Sequence, residues 1–227
     1  SLFVADGHRM VKKIDERRGI VTEFVKLDVT PCYLALVSDD SLFISCCYAH
    51  IIMKVDIHSG NKIVIVAGQK RREGYRDGPG DEAMFNFLNG LTFDSHSNSL
   101  IVADSWNHCI RRISLRPGDN YQVTTIAGVA QQYDYRDGPS HLALFNHPSG
   151  VTIDEDGAII LADTYNSCIR RISPDGKEVT TIAGVATEFG YANGSVLNAK
   201  FFAPHQVITD LSRHCIYISD TFNNLIQ

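Results

Sequence analysis

The chain has 227 residues and a formal net charge of −5; 44% of its residues are hydrophobic and 21% are charged. This composition is close to that of soluble globular proteins, and the acidic balance disfavours generic nucleic-acid binding, which usually needs a basic excess. The sequence contains neither an apolar run long enough for a membrane span nor a basic-then-apolar leader, so no membrane partner is expected. Because the chain begins with Ser1 and a strand-like Leu2-Phe3-Val4, we expect it to be part of a longer protein.

Short β-rich segments separated by polar turns follow one another through the chain. They group into five units of one domain, at about 1–25, 33–67, 90–127, 150–183 and 206–227, with about 17 or 18 strands in total. In the fourth and clearest unit, the turns Glu155-Asp156-Gly157 and Pro174-Asp175-Gly176 are short. Because turns that short join antiparallel neighbours, each complete unit is predicted to be a four-stranded antiparallel meander.

The same sequence landmarks return at a nearly constant interval. NHCIRRIS at 107–114 returns as NSCIRRIS at 166–173, and VTTIAGVA at 123–130 returns unchanged at 179–186. The segment 159–162 is apolar throughout, which is typical of a sheet that is buried on both faces. Repeated sheets stacked side by side around an axis are buried in this way, so the sequence predicts a β-propeller.

The repeated segments resemble a known family. They contain Pro-x-Gly-Val, Ala-Asp-x-x-Asn, Ile-Arg-Arg-Ile and Thr-Ile-Ala-Gly, with Gly-Tyr-x-Asp-Gly between units, and this consensus resembles the NHL repeat in its long form. The second unit departs from it, with Cys46 in place of the Asp and Ala49 in place of the Asn. The resemblance implies an all-β propeller of four-stranded blades in a six-bladed ring. The chain holds somewhat over four blades, so a further segment or a second chain is expected to complete the ring.

The six cysteines include no Cys-x-x-Cys pair. Cys109 and Cys168 occupy equivalent strand positions, which is typical of small buried hydrophobic residues. We therefore expect free thiols and a reducing, cytoplasmic compartment. The sequon Asn193-Gly194-Ser195 leaves a secreted protein as the alternative.

Charged and polar residues recur at the strand ends. Arg111-Arg112 and Arg170-Arg171 lie inside third strands, and one Arg of each pair is expected to face a neighbouring blade and pair with a repeat Asp. Asp104 ends a second strand and Asn107 follows it. Both are expected to hydrogen-bond the backbone of the turn.

Two kinds of loop are predicted to open on one face, here called the top face: the crossing between blades and the turn between second and third strands. An aromatic residue recurs in that turn, at Trp106, Tyr165 and Phe222. These rings are predicted either to pack between blades or to form a surface that grips a peptide or stacks on bases.

Two further groups on the top face are candidates for partner binding. A crossing loop carries the basic run Lys70, Arg71, Arg72 and Arg76. Such a run is either solvated surface or a site for an acidic or phosphate-bearing partner. The residues just before the first strands, predicted to line the mouth of the central channel, are Asn89, Ser149 and His205.

These patterns favour a non-catalytic scaffold that recruits a protein or peptide through its top-face loops, with no cofactor. RNA binding through the basic loop is one alternative. The other is a metal-dependent lyase or hydrolase at the channel mouth, because the similar amidating lyases bind zinc there through histidines. His205 fits that position, with His141 and His147 nearby. No Gly-x-Ser-x-Gly, His-Glu-x-x-His or Walker sequence occurs.

Overall fold

The computed structural model describes residues 2–58 and 62–227, in which only strands, short 3-10 turns and loops are found. The strands form five antiparallel sheets, called blades 1 to 5 in chain order. Blade 1 contains β1 (Leu2–Asp6), β2 (Met10–Asp15) and β3 (Ile20–Lys26). Blade 2 contains β4 (Tyr33–Ser38), β5 (Ser41–Cys46), β6 (Ile51–Asp56) and β7 (Ile63–Ala67). Blade 3 contains β8 (Leu88–Asp94), β9 (Ser99–Asp104), β10 (Cys109–Ser114) and β11 (Val123–Ala127).

The last two blades follow the same order. Blade 4 contains β12 (Gly138–Pro139), β13 (Pro148–Ile153), β14 (Ile159–Asp163), β15 (Cys168–Ile172) and β16 (Glu178–Ala183). Blade 5 contains β17 (Pro204–Asp210), β18 (Cys215–Asp220) and β19 (Leu225–Ile226). The described residues therefore form an all-β propeller with five blades of three to five strands. None of them forms a helix long and apolar enough to cross a membrane.

The four-stranded meander predicted from the sequence is found in blades 2 and 3, and blade 4 adds a fifth strand to it. The extra strand arises because Gly138 in the preceding crossing loop pairs with Val179 of β16. Blade 3 shows the beginning of the same arrangement, where the N–H of Gly78 donates to the carbonyl of Val123 at 3.0 Å. The crossing loops are thus hydrogen-bonded to the outer strand of the following blade.

The core lies between blades, as the uniformly apolar strands predict. In β14, Leu161 packs in a cluster with Ile101 and Ile110 of blade 3, whereas its neighbour Ile160 packs with Val207 and other residues of blade 5. Successive residues of a strand point to opposite faces. Both faces of β14 are therefore covered, which explains the absence of a polar alternation.

The innermost strands approach one another closely around the axis. A Cβ atom added to Gly90 would lie 2.3 Å from the carbonyl oxygen of Ser149, and one added to Gly150 would lie 2.7 Å from that of His205. Only glycine allows this approach, so β8, β13 and β17 converge at the channel. This convergence brings the predicted channel-mouth residues close together.

The prediction of free thiols is wrong for two of the six cysteines. Cys32 and Cys47 form a disulfide with a Cα–Cα distance of 6.0 Å. Cys109 and Cys168 are free and fully buried, as predicted from their equivalent positions. The disulfide joins the segment before β4 to the turn after β5, and it removes these two residues from the argument for a reducing compartment.

Candidate functional site

In blades 2 to 5, the 3-10 turn that follows β5, β9, β14 or β18 presents its middle residue to solvent. In blade 3, the buried Asp104 carboxylate accepts hydrogen bonds from the backbone N–H of Asn86 (2.8 Å) and the side-chain amide of Asn107 (2.9 Å). The Asn107 amide also donates to the carbonyl of Gly74 at 2.8 Å. The prediction that both side chains hydrogen-bond the backbone of their own turn is wrong, because they bond each other and the backbone of the preceding crossing loop. Trp106 between them is 51% exposed.

The same turn presents an aromatic side chain in three other blades. The predicted residues Tyr165 and Phe222 are 60% and 61% exposed, and Tyr48 of blade 2 is 71% exposed. Tyr48 was not predicted as a member of this set, because Cys46 and Ala49 replace the Asp and Asn that mark the turn. Its spacing from the end of β5 was the available signal.

Rings from the crossing loops join these turns into one surface. The ring centroid of Phe87 lies 5.0 Å from that of Tyr48 and 5.2 Å from that of Trp106. The centroid of His147 lies 6.3 Å from that of Trp106 and 4.7 Å from that of Tyr165. Tyr48, Phe87, Trp106, His147 and Tyr165 form a continuous row across blades 2 to 4, which we call the aromatic arc.

Phe222 belongs to a separate cluster. Its ring centroid lies 5.0 Å from that of Phe202, which lies 5.1 Å from that of Phe189. Ala203 takes the loop position that carries a ring in the two preceding crossing loops. The row of rings is therefore interrupted before blade 5.

Two histidines beneath the arc are held in the neutral form. Nδ1 of His108 accepts the backbone N–H of His147 (3.2 Å), and Nδ1 of His50 accepts that of Phe87 (3.0 Å). Burial, reinforced by the nearby His147, lowers the pKa of His108 to about 4, and burial also lowers the pKa values of His50 and His147. The floor of the arc is accordingly uncharged at neutral pH.

Most of the predicted basic run is engaged within the chain. The three pairs are Lys70–Asp28, Arg76–Glu82 (2.7 Å) and Arg72–Gln69 (3.1 Å). Arg71 forms no ion pair within residues 2–58 and 62–227. Arg72 also keeps its charge, because Gln69 is neutral, so two cations of this run have no ion pair in the described ranges.

Arg71 faces a second cation from another blade. Arg71 and Arg9, from the turn between β1 and β2, line a recess of about 120 Å³ together with Asp28 and Tyr48. Arg9 likewise forms no ion pair with any described residue. We call this site the arginine recess, and Tyr48 makes it continuous with the end of the aromatic arc.

The channel-mouth residues tie the inner strands to the turns. The side-chain amide of Asn89 donates to Oγ of Ser105 at 3.2 Å. Oγ of Ser149 lies 2.6 Å from Oγ1 of Thr164 and donates to the carbonyl of His205, also at 2.6 Å. These contacts use the polar groups of Asn89 and Ser149 internally.

His205 is engaged across the channel. Its Nδ1 lies 3.0 Å from the hydroxyl of Tyr33 in blade 2, and burial lowers the pKa of His205 while raising that of Tyr33. His147 belongs to the arc, and His141 is exposed beside the outer strand of blade 4. Over the described ranges, no three His, Cys, Asp or Glu side chains converge as metal ligands.

The chain is similar to several known proteins. Residues 81–188 match the family described as the SMP-30/gluconolactonase/LRE-like region. The chain is 30% identical to SUPPRESSOR OF QUENCHING 1 of Arabidopsis thaliana, over 61% of this chain and 13% of that protein. It is 28% identical to human NHL repeat-containing protein 2, over 75% of this chain and 24% of that protein. The matches confirm the resemblance to NHL-type propellers.

A solved structure shares the fold. A protein of unknown function from Bacteroides thetaiotaomicron superposes on 99% of this chain with a TM-score of 0.79 and 19% identity. The chain spans 54% of that protein, and it spans a quarter or less of the two relatives above. The likeness therefore extends over the blades but over only part of each relative.

Proposed function

We propose that this NHL-type propeller is a non-catalytic binding module that recruits a protein or peptide through its top face. The observation that carries the proposal is the aromatic arc, in which Tyr48, Trp106 and Tyr165 are each at least half exposed. Contiguous exposed rings are uncommon on monomeric proteins and mark interaction sites. Large, rigid rings also dominate the binding energy of many interfaces.

Other aromatic side chains supply the deep packing between blades. Phe85 and Phe145 fill the space between blades, where each is fully buried. They also stack on buried arginines of the third strands. The exposed rings therefore remain available to a partner, which favours binding over the structural alternative.

A protein partner fits the charges better than RNA. Nucleic-acid binding usually draws on several phosphate contacts from unpaired cations. Here Lys70 and Arg76 are neutralised by Asp28 and Glu82. The net charge of −5 adds a long-range repulsion of polyanions.

We also propose that these blades are part of a single six-bladed ring. The register assigns Leu2, Val4 and Val21 to the face of blade 1 that points away from blade 2, and each is at least 43% exposed. Ile208 and Ile226 occupy the corresponding outer face of blade 5, at 58% and 79% exposure. A sixth blade between these two faces would cover both.

A random peptide library displayed on phage tests the binding function. Selection on the wild-type chain should enrich peptides that bind Trp106→Ala at least tenfold more weakly, because central aromatic anchors carry much of the affinity. Tyr191→Ala, which removes an equally exposed ring off the arc, should leave their affinity unchanged. Peptides that bind Trp106→Ala as well as wild type would contradict the proposal.

A further inference from the structure

The two ends of the aromatic arc differ in charge. Arg9 and Arg71 stand beside Tyr48 at one end. Gln131 and Thr187 take the place of Arg71 in the next two crossing loops. The three residues have φ between 61° and 66°. The φ angle is therefore alike in the three loops, and only the loop at the Tyr48 end carries a cation at this position.

The turns show the same asymmetry. Arg9 directly precedes β2, the strand of blade 1 that corresponds to β10 of blade 3, and its φ is 63°. In blades 3, 4 and 5 the corresponding left-handed residue is His108, Ser167 or Asn224. His108 is neutral at physiological pH because burial lowers its pKa. Positive charge is thus concentrated at one end of the arc.

The arginine recess has a surplus of positive charge. Its one carboxylate, Asp28, is already paired with Lys70, and this hydrogen bond lowers the pKa of Asp28. Arg71 also helps to lower the pKa of Asp28, but neither Arg9 nor Arg71 forms an ion pair in the described part of the chain. Two arginines that line one recess can supply guanidinium groups for bidentate recognition of a carboxylate.

The arc also has a defined length. Its four centroid-to-centroid steps are 4.7 to 6.3 Å each. An extended chain advances about 3.3 Å per residue, so a row of this length matches about six extended residues. A nucleic acid would place a phosphate at every step, whereas the positions equivalent to Arg9 and Arg71 carry a permanent cation only at the Tyr48 end.

We propose that the aromatic arc binds an extended apolar peptide of about six residues whose carboxylate is held between Arg9 and Arg71. This inference rests on the binding function proposed above and adds the direction in which the bound peptide runs along the aromatic arc. Because the recess lies beside Tyr48, the last ring of the row, we assign this carboxylate to the C-terminus of the partner. The apolar residues before it lie over Phe87, Trp106 and Tyr165.

Positional-scanning hexapeptide libraries with free-acid or amidated C-termini test the inference on the 227-residue chain. We expect wild type to enrich peptides with a carboxylate at one end. Enrichment of free acids only is the expected result, and equal retention of the amides would overturn the assignment to the C-terminus. Arg9→Gln/Arg71→Gln should lose this preference and bind the selected peptides at least tenfold more weakly, but keep the apolar preference.

Controls separate the two proposals. Arg72→Gln/Arg76→Gln makes the same charge change outside the recess and should bind like wild type. Apolar enrichment without a carboxylate preference would overturn the inference and leave the binding function standing. No enrichment by wild type would overturn both. A single-stranded oligouridine is compared with the peptides in the same way. If it bound wild type more tightly than any peptide does, and Arg9→Gln/Arg71→Gln lost that binding, the proposal of a peptide ligand would be overturned in favour of a nucleic acid.

Discussion

A pair of contacting side chains occupies the same place in every blade and is most deeply buried in blades 2 to 4, and its chemistry changes as a unit. The pairs are Asp6–Lys12 (2.5 Å), Cys46–Met53 (3.7 Å), Asp104–Arg111 (2.5 Å), Asp163–Arg170 (2.6 Å) and Asp220–Gln227 (2.6 Å). Arg111 and Arg170 pair with a repeat Asp, as the sequence predicted. Where the acid is replaced by a thiol in blade 2, the arginine is replaced by a thioether, so no charge is buried alone.

The first prediction follows from this covariation. Arg111→Met leaves Asp104 buried without its partner, and breaking a buried pair in this way costs about 3–5 kcal/mol. Arg111→Met with Asp104→Cys copies the Cys46–Met53 pair and should recover at least half of the loss. Urea unfolding measures both, with Arg112→Met on the same strand as a control. A double variant no more stable than Arg111→Met would show that the two positions are not coupled.

The second prediction concerns pH. Burial lowers the pKa of His108 from 6.5 to about 4, so the unfolded chain takes up a proton below pH 6.5 that the folded chain refuses. The contribution of His108 to stability is therefore complete above pH 6.5 and is lost as the pH falls towards 4. In urea unfolding between about pH 7 and about pH 5, His108→Asn should lose less stability than wild type. An equal loss in both proteins would contradict this assignment.

At the scale of elements, the repeat determined how far the sequence could predict the structure. The meanders of blades 2 to 4, the turn formed by Asp104 and Asn107, and the exposed Trp106 follow from residue types that recur at a fixed register. Phe87 and His147 were missed as members of one surface because the three equivalent loops carry Phe, His and Ala. Residues of different types at one position give no repeat signal, and only the fold brings their rings together.

The disulfide was missed for a related reason. Cys32 and Cys47 lie in the divergent blade 2, where they replace a hydrogen-bonded pair that blade 4 makes with Ser149 and Thr164 (2.6 Å). A covalent tether in one blade and a polar contact in another connect the same two elements. The equivalence becomes visible only when the blades are superposed.

This equivalence gives the third prediction. Cys32→Ser with Cys47→Thr copies the pair of blade 4 and should keep the fold. The chain-entropy estimate for a loop of this size is about 3 kcal/mol, which is the expected loss of stability without reductant. Adding reductant should remove most of the difference from wild type. Thiol titration of denatured, unreduced wild type should find four free cysteines, and six would contradict the disulfide.

At the scale of the whole molecule, the two terminal blades expose the kind of surface that the inner blades bury. Val11 and Val25 of blade 1 pack against blade 2, whereas Leu2, Val4 and Val21 on the opposite face are open to solvent. An inner blade such as blade 4 has no such face. The series of five blades therefore ends in an exposed apolar face on each side.

The last prediction follows from these ends. Full burial of one Val, Leu or Ile side chain contributes about 1.5–3 kcal/mol, so the three such residues on blade 1 and the two on blade 5 offer a gain comparable to the whole stability of a domain. The isolated 227-residue chain should therefore self-associate, with a light-scattering mass that rises with concentration. Val21→Lys with Ile208→Lys should shift this chain towards the monomer, because a lysine resists burial at an apolar interface. Gln132→Lys on the top face adds charge without touching either end and should associate like wild type. A wild-type chain that stays monomeric at every concentration would show that the two faces need no cover, and the proposal of a sixth blade would lose its physical basis.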